Sequence, residues 1–105
     1  MDVIAYEVNL FVQQAILDEY RPWLDAHVRA MCALPGFLGA EWFERSDPAA
    51  ADDEVVFCVH YRLTDEAALA DYFRDHAAHM RADGVARFGD RFRADRRVLR
   101  SLARY

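Results

Sequence analysis

The chain predicts an α+β sandwich of βαββαβ order, the ferredoxin-like arrangement, with a four-stranded antiparallel sheet covered on one face by helices. Three observations carry that expectation. Apolar residues alternate in steps of two in the first and third of four strand-like stretches, and they recur in steps of three and four in two others. The stretches also follow one another as strand, helix, strand, strand, helix, strand. With 105 residues and 54% apolar content, the chain suffices for one core and one domain, 1–105.

The first strand spans 3–12, where Ile4, Tyr6, Val8, Leu10 and Val12 alternate with Ala5, Glu7, Asn9 and Phe11. From Gln14 the period lengthens, and Ile16, Tyr20, Trp23, Leu24, His27, Val28, Met31 and Leu34 form a helical stripe. Pro22 lies on the opposite face, removes one backbone hydrogen bond and is expected to kink the helix. Pro35-Gly36 stops it. The second strand, 37–45, carries Phe37, Leu38, Ala40, Trp42 and Phe43. An acidic loop marked by Pro48 leads into the third strand, 54–63. Thr64 is placed to cap the second helix, with Asp65 and Glu66 at the positive end of its dipole. Its stripe reads Leu69, Tyr72, Phe73, His76 and Met80, so Phe73 is expected in the core against Phe57 or Val59. Gly84 and Gly89 point to a short irregular segment over 81–91, and the last strand spans 92–102.

On the third strand Val55, Phe57, Val59 and Tyr61 point one way, and Val56 and Cys58 the other. Both helices of a βαββαβ chain cover the same sheet face, so a strand apolar on both sides needs a second cover. The economical cover is the sheet of a second copy, packed face to face about a two-fold axis. A homodimer through the sheet face is therefore expected. Glu7, Glu41, His60 and Arg62 either pair within that interior or reach solvent at strand ends.

Composition removes several functions. All 13 basic residues are arginine, which excludes Schiff-base and lysine-nucleophile chemistry. Residues 1–80 hold 15 acids and 5 arginines, whereas residues 81–105 hold 3 acids and 8 arginines. The basic end either neutralises the acidic remainder or receives an anionic ligand or acidic partner. A net charge of −5 and the lack of an Arg/aromatic recognition motif argue against nucleic acid. No apolar run approaches the roughly 20 residues of a membrane span, and Met1-Asp2-Val3 lacks the basic start of an export signal. A cytoplasmic location is expected, with Cys32 and Cys58 reduced. No Gly-rich phosphate loop or nucleophile elbow is present, which drops nucleotide-dependent and serine-hydrolase chemistry.

The stretch Leu34-Pro35-Gly36-Phe37-Leu38-Gly39-Ala40-Glu41-Trp42-Phe43 follows a strand and a long helix. It resembles the helix, Pro-Gly-Phe, strand passage of the dimeric α/β-barrel superfamily, which includes the antibiotic-biosynthesis-monooxygenase-like proteins. With Tyr6-Glu7-Val8-Asn9 and His76-Ala77-Ala78-His79-Met80-Arg81, nearly the whole chain is similar to a small bacterial family within it, known only as an uncharacterised domain. The resemblance is specific for fold and not for activity, because the superfamily hosts monooxygenases, haem-degrading enzymes, dismutase-like enzymes and proteins without known reaction.

The resemblance also implies candidate site residues. Haem-degrading members use an Asn on the first strand and a Trp and a His on the second helix. Asn9 matches the first, Tyr72 stands where the Trp would be, and His79 or His76 takes the place of the His. The absent Trp departs from the haem pattern. Asn9, Tyr72 and His79 would instead suit cofactor-free oxygenation of an electron-rich phenol, the His as base and the other two holding the oxyanion. In superfamily members the ligand cleft lies between helices and sheet, which makes Trp23, His27 and His76 the expected lining of an apolar pocket. Tyr72, His27 and His76 equally fit the core faces of their helices. His76 and His79 are adjacent on a helix but have no evident third ligand, so neither metal nor other cofactor is expected.

Three functions stay open: a dimer binding a small aromatic molecule with cofactor-independent monooxygenase-like chemistry, a haem-binding or haem-degrading enzyme, and a non-catalytic regulatory or assembly dimer. The face on which Asn9 emerges separates them. Ile4, Tyr6, Val8 and Leu10 are the more apolar set and would by default meet the helices. Asn9 among the helices would be a local rule broken at a site; Asn9 on the other face would dissolve the constellation.

Overall fold

The alternating and helical stretches become, in a computed structural model describing residues 3–105, four strands and three helices among those residues. They are β1 (Ile4–Gln13), α1 (Leu17–Cys32), β2 (Phe37–Glu44), β3 (Glu54–Leu63), α2 (Glu66–Asp75), α3 (Ala77–Phe88) and β4 (Phe92–Arg100). The sheet order is β2-β3-β1-β4 and every neighbouring pair is antiparallel, which is the ferredoxin-like topology.

Register decides the two faces. Tyr6 stands opposite Tyr61, Val8 opposite Val59 and Leu10 opposite Phe57. Because side chains alternate along a strand, these residues share one face, and all are buried beneath the helices. The even residues of β1 and the odd residues of β3 thus form the core, as their hydrophobicity dictates. Glu7, Asn9 and Phe11 of β1, with Cys58 and His60 of β3 and Asp95 and Arg97 of β4, fall on the opposite, open face.

Local chemistry explains the helix ends, with some departures from expectation. α1 follows a short 3-10 turn, Gln14–Ile16, and continues through Pro22 to Cys32. The chain then reverses at Gly36, whose φ of +84° is open to glycine and strained for other residues. Asp65, not Thr64, caps α2: its carboxylate accepts from the Ala68 N–H at 2.8 Å. The expected single second helix is broken at His76, and the segment expected to be irregular is helical to Phe88. The buried stripe restarts beyond that break with Ala77, Gly84 and Phe88, while α2 buries Leu69 and Tyr72. Phe73 is therefore not core but 43% exposed, lying edge-on to Tyr6 at the margin.

The open face is partly covered by the chain itself. Val56 is only 1% exposed. Phe11 carries the Arg93 guanidinium 3.8 Å above its ring and that of Arg45 at 5.5 Å. Phe43 and Leu99 remain exposed. No helix among the described residues is long and apolar enough to cross a membrane.

Candidate functional site in the helix–sheet cleft

A cleft of about 290 Å³ lies between the sheet and helices α1 and α3, close to the edge strand β4. Its walls are aromatic because the core faces of β1, β3 and α1 supply Tyr6, Tyr61, Tyr20 and Trp23 at that depth. α3 can come close because it presents Gly84, where a Cβ would stand 2.9 Å from the Trp23 ring.

Tyr20 is the unusual member. It is fully buried, packed against Trp23, Phe88 and Phe92 with ring centroids 5.4, 4.9 and 5.4 Å away. Its hydroxyl has no hydrogen-bond partner. A buried polar group left unpaired costs about 1–3 kcal/mol, a cost recovered when a ligand drawn into the wall pairs with it. Burial pushes its pKa well above the ordinary tyrosine range, so the group is a neutral phenol, able to donate or accept. Burial likewise pushes Tyr72 up to about 12.

Trp23 is fixed by its indole N–H, which donates to Asp83 at 2.8 Å, and it stacks on His27 at 4.7 Å. Burial lowers the proton affinity of His27, with a smaller opposing pull from Asp83, so His27 is a neutral imidazole near pH 7. Tyr6 accepts a hydrogen bond from Arg81 of α3 at 3.0 Å.

Of the expected residues, Trp23, His27 and Tyr72 line this cleft. His76 sits half-buried at the α2–α3 break and His79 is exposed; neither lines it. Asn9 is on the other side of the sheet, where its amide donates to Glu7 at 2.9 Å. Asn9 therefore does not meet Tyr72 and His79, and the expected catalytic set is not assembled. The reason is the strand period: with Ile4, Tyr6, Val8 and Leu10 turned to the helices, Asn9 must turn away. The haem-type arrangement, which uses the same Asn, is not assembled either. The sequence presents Tyr20 as plain core and does not mark Arg81 or Arg96, which also line this cleft. The alternation Phe92, Ala94, Arg96, Val98 carried the signal for Arg96.

The open face holds a second group of polar residues. Glu7, 5% exposed, accepts from Asn9, from His60 Nε2 at 2.9 Å and from both arms of Arg97, one at 3.0 Å. The Arg97 hydrogen bonds hold its carboxyl at about 2, against opposing desolvation, with Asn9 and His60 adding to the effect. Glu7, Cys58 and His60 offer ligand atoms within 4.8 Å of one another. The Glu7 oxygens are already occupied and Arg97 supplies the counter-charge, so coordination would have to displace that arginine. Glu41 and Arg62, which were candidates for the same network, are exposed.

Solved structures share this architecture. A dimeric ferredoxin-like protein from an uncultured marine organism superposes with a TM-score of 0.73 at 8% identity, covering 99% of this chain and 98% of that one. SnoaB, a cofactor-independent oxygenase from Streptomyces nogalater, gives 0.68 at 13% identity over 96% and 95% of the two chains. A Mycobacterium tuberculosis protein, Rv0793, gives 0.67 at 21% identity over 97% of each. At such identities the likeness is one of fold. No functionally curated protein matches the sequence. Over residues 3–102 the sequence matches one family model, and the chain belongs to that family, described as a domain of unknown function (DUF4286).

Proposed function

We propose that this protein binds a small aromatic molecule in the helix–sheet cleft, acting as a homodimer joined through the open sheet face. The single observation that carries the binding reading is the partnerless Tyr20 hydroxyl buried in the wall of an aromatic cleft of about 290 Å³. That volume is near the lower end for small-molecule sites and suits a ligand of one or two rings. Titration calorimetry with 1-naphthol should show saturable binding of one ligand per chain, weakened by Tyr20→Phe. No heat with the wild-type protein at millimolar ligand would overturn the reading.

The chemistry such a cleft favours is cofactor-independent oxygenation of a bound phenol, supported by neutral His27 beside the stacked Trp23. His27 would take the phenolic proton while Tyr20 donates to the oxygen, leaving an electron-rich ring for dioxygen. One oxygen atom enters the ring and the other leaves as water with two substrate hydrogens, so the substrate supplies the electrons. The fold shared with SnoaB is consistent with this and does not by itself assign it. In chelator-treated buffer, 1,5-dihydroxynaphthalene should consume one dioxygen per hydroxynaphthoquinone formed. His27→Gln should slow that about a hundredfold or more, the usual worth of a general base. Oxygen uptake no faster than in protein-free buffer would leave a binding protein without this activity.

A further inference from the structure

We infer that the cleft selects an aromatic anion, and that Arg96 is the residue that reads the charge. This deepens the cleft reading above and rests on it. Arg96 stands opposite Val8 in the β1–β4 register, and Val8 belongs to the core face, so the Arg96 stem leaves the sheet on the helix side. It lines the cleft there, on the edge strand.

Four arginines lie on β4, and three of them hold a carboxylate. Arg93 lies 4.0 Å from Glu54, Arg97 grips Glu7, and Arg100 bonds Glu66 at 3.1 Å. Arg96 has no such partner among the described residues. Arg81, across the cleft, is committed: it donates to the Tyr6 hydroxyl at 3.0 Å and lies 5.9 Å over the Phe73 ring. The nearby acid, Asp83, accepts from the Trp23 indole and keeps its charge, but it does not line the cleft. An unpaired guanidinium thus faces an aromatic cavity that contains no carboxylate of its own.

Burial dominates the titration of His27, Tyr20 and Tyr72, and Asp83 acts on His27 more strongly than Arg96 does. Beneath these effects the Arg96 charge still reaches all three side chains, opposing protonation of His27 and offsetting part of the rise at the tyrosines. A planar guanidinium fork matches a carboxylate in two parallel hydrogen bonds. A flat ring against Trp23 with a carboxylate turned to β4 would meet Arg96 at one end and the Tyr20 side chain in the cleft wall. The ligand class is therefore a one- or two-ring aromatic carboxylate.

Calorimetry with 1-naphthoate and 1-naphthol, ligands of the same ring size, tests this at neutral pH. Naphthoate should bind at least tenfold more tightly than naphthol to the wild-type protein. Arg96→Gln should bring the two affinities together, whereas Arg100→Gln, which removes an arginine already holding Glu66, should keep their ratio. Binding of naphthol with no preference for naphthoate would overturn the inference and leave the cleft reading standing. A preference that survives Arg96→Gln would overturn the role of Arg96. Failure of both ligands to bind would overturn the cleft reading, and this inference with it.

Discussion

Tyr20 and Glu7 are both buried polar residues, and their environments treat them in opposite ways. The Tyr20 hydroxyl lies unpaired in an aromatic wall, so Tyr20→Phe removes a desolvated group without opening a cavity. The variant should be as stable as the wild type or more stable by up to about 1 kcal/mol in urea unfolding, while losing ligand affinity. A loss of 2 kcal/mol or more would mean that the hydroxyl has a partner in solution. Glu7 is saturated by Arg97, Asn9 and His60, and its carboxyl stays ionised down to about pH 2 instead of the ordinary 4.5. As pH falls through this window the unfolded chain takes up the proton first, so the stability that Glu7 contributes above about pH 4.5 is lost progressively toward pH 2. Glu7→Gln should cost about 1–2 kcal/mol near pH 7, kept modest by the exposure of Arg97, and should flatten that acid limb. An unaltered acid limb, measured at one protein concentration, would assign acid sensitivity to other carboxylates.

At the scale of the elements, the break at His76 sets which side chains of the second helical stretch do the packing. Leu69 is buried and Phe73 is 43% exposed. Leu69→Ala should therefore cost about 2–5 kcal/mol, and Phe73→Ala distinctly less despite the larger side chain. The opposite order, by thermal or urea unfolding, would restore the continuous-helix register. Gly84 makes a second element-level case. Alanine ordinarily gains up to about 1 kcal/mol over glycine inside a helix. Here its Cβ would press on the Trp23 ring at 2.9 Å, and that ring is held between His27 and Phe88. Gly84→Ala should be net destabilising and should weaken naphthol binding by moving Trp23; a gain in stability would show that the helices separate freely.

For the molecule as a whole, the proposed assembly rests on the open face. Phe43 and Leu99 remain exposed there around the Glu7–Arg97 network, a mixture of apolar surface and satisfied charge suited to another copy's sheet. Sedimentation at micromolar concentration should give twice the monomer mass, since stable pairs bury roughly 1,200–2,000 Å². Phe43→Glu, on an exposed side chain, should yield a folded monomer. Val56→Asp is the poorer probe, because Val56 is buried within the single chain and its loss would unfold it. A wild-type monomer would remove the dimer from the proposal.

Period and punctuation were enough to read the topology. Alternation from Ile4 to Val12 and from Val55 to Leu63, with Pro35-Gly36 between helix and strand, determined the two central strands, their order along the chain and the face that packs. These are properties of neighbours along the backbone, and hydrophobicity alone orients them. The same alternation put Asn9 on the open face, against the site expected from resemblance. The partners of each polar group came only with the tertiary structure. Arg97 reaches Glu7 across 90 residues, Arg81 reaches Tyr6 across 75, and Trp23 meets Asp83 across 60. The unpaired state of Tyr20 and Arg96 is likewise a relation among β1, β4, α1 and α3, which no local stretch of sequence contains. Local pattern chooses a face; only the packed chain decides what that face meets.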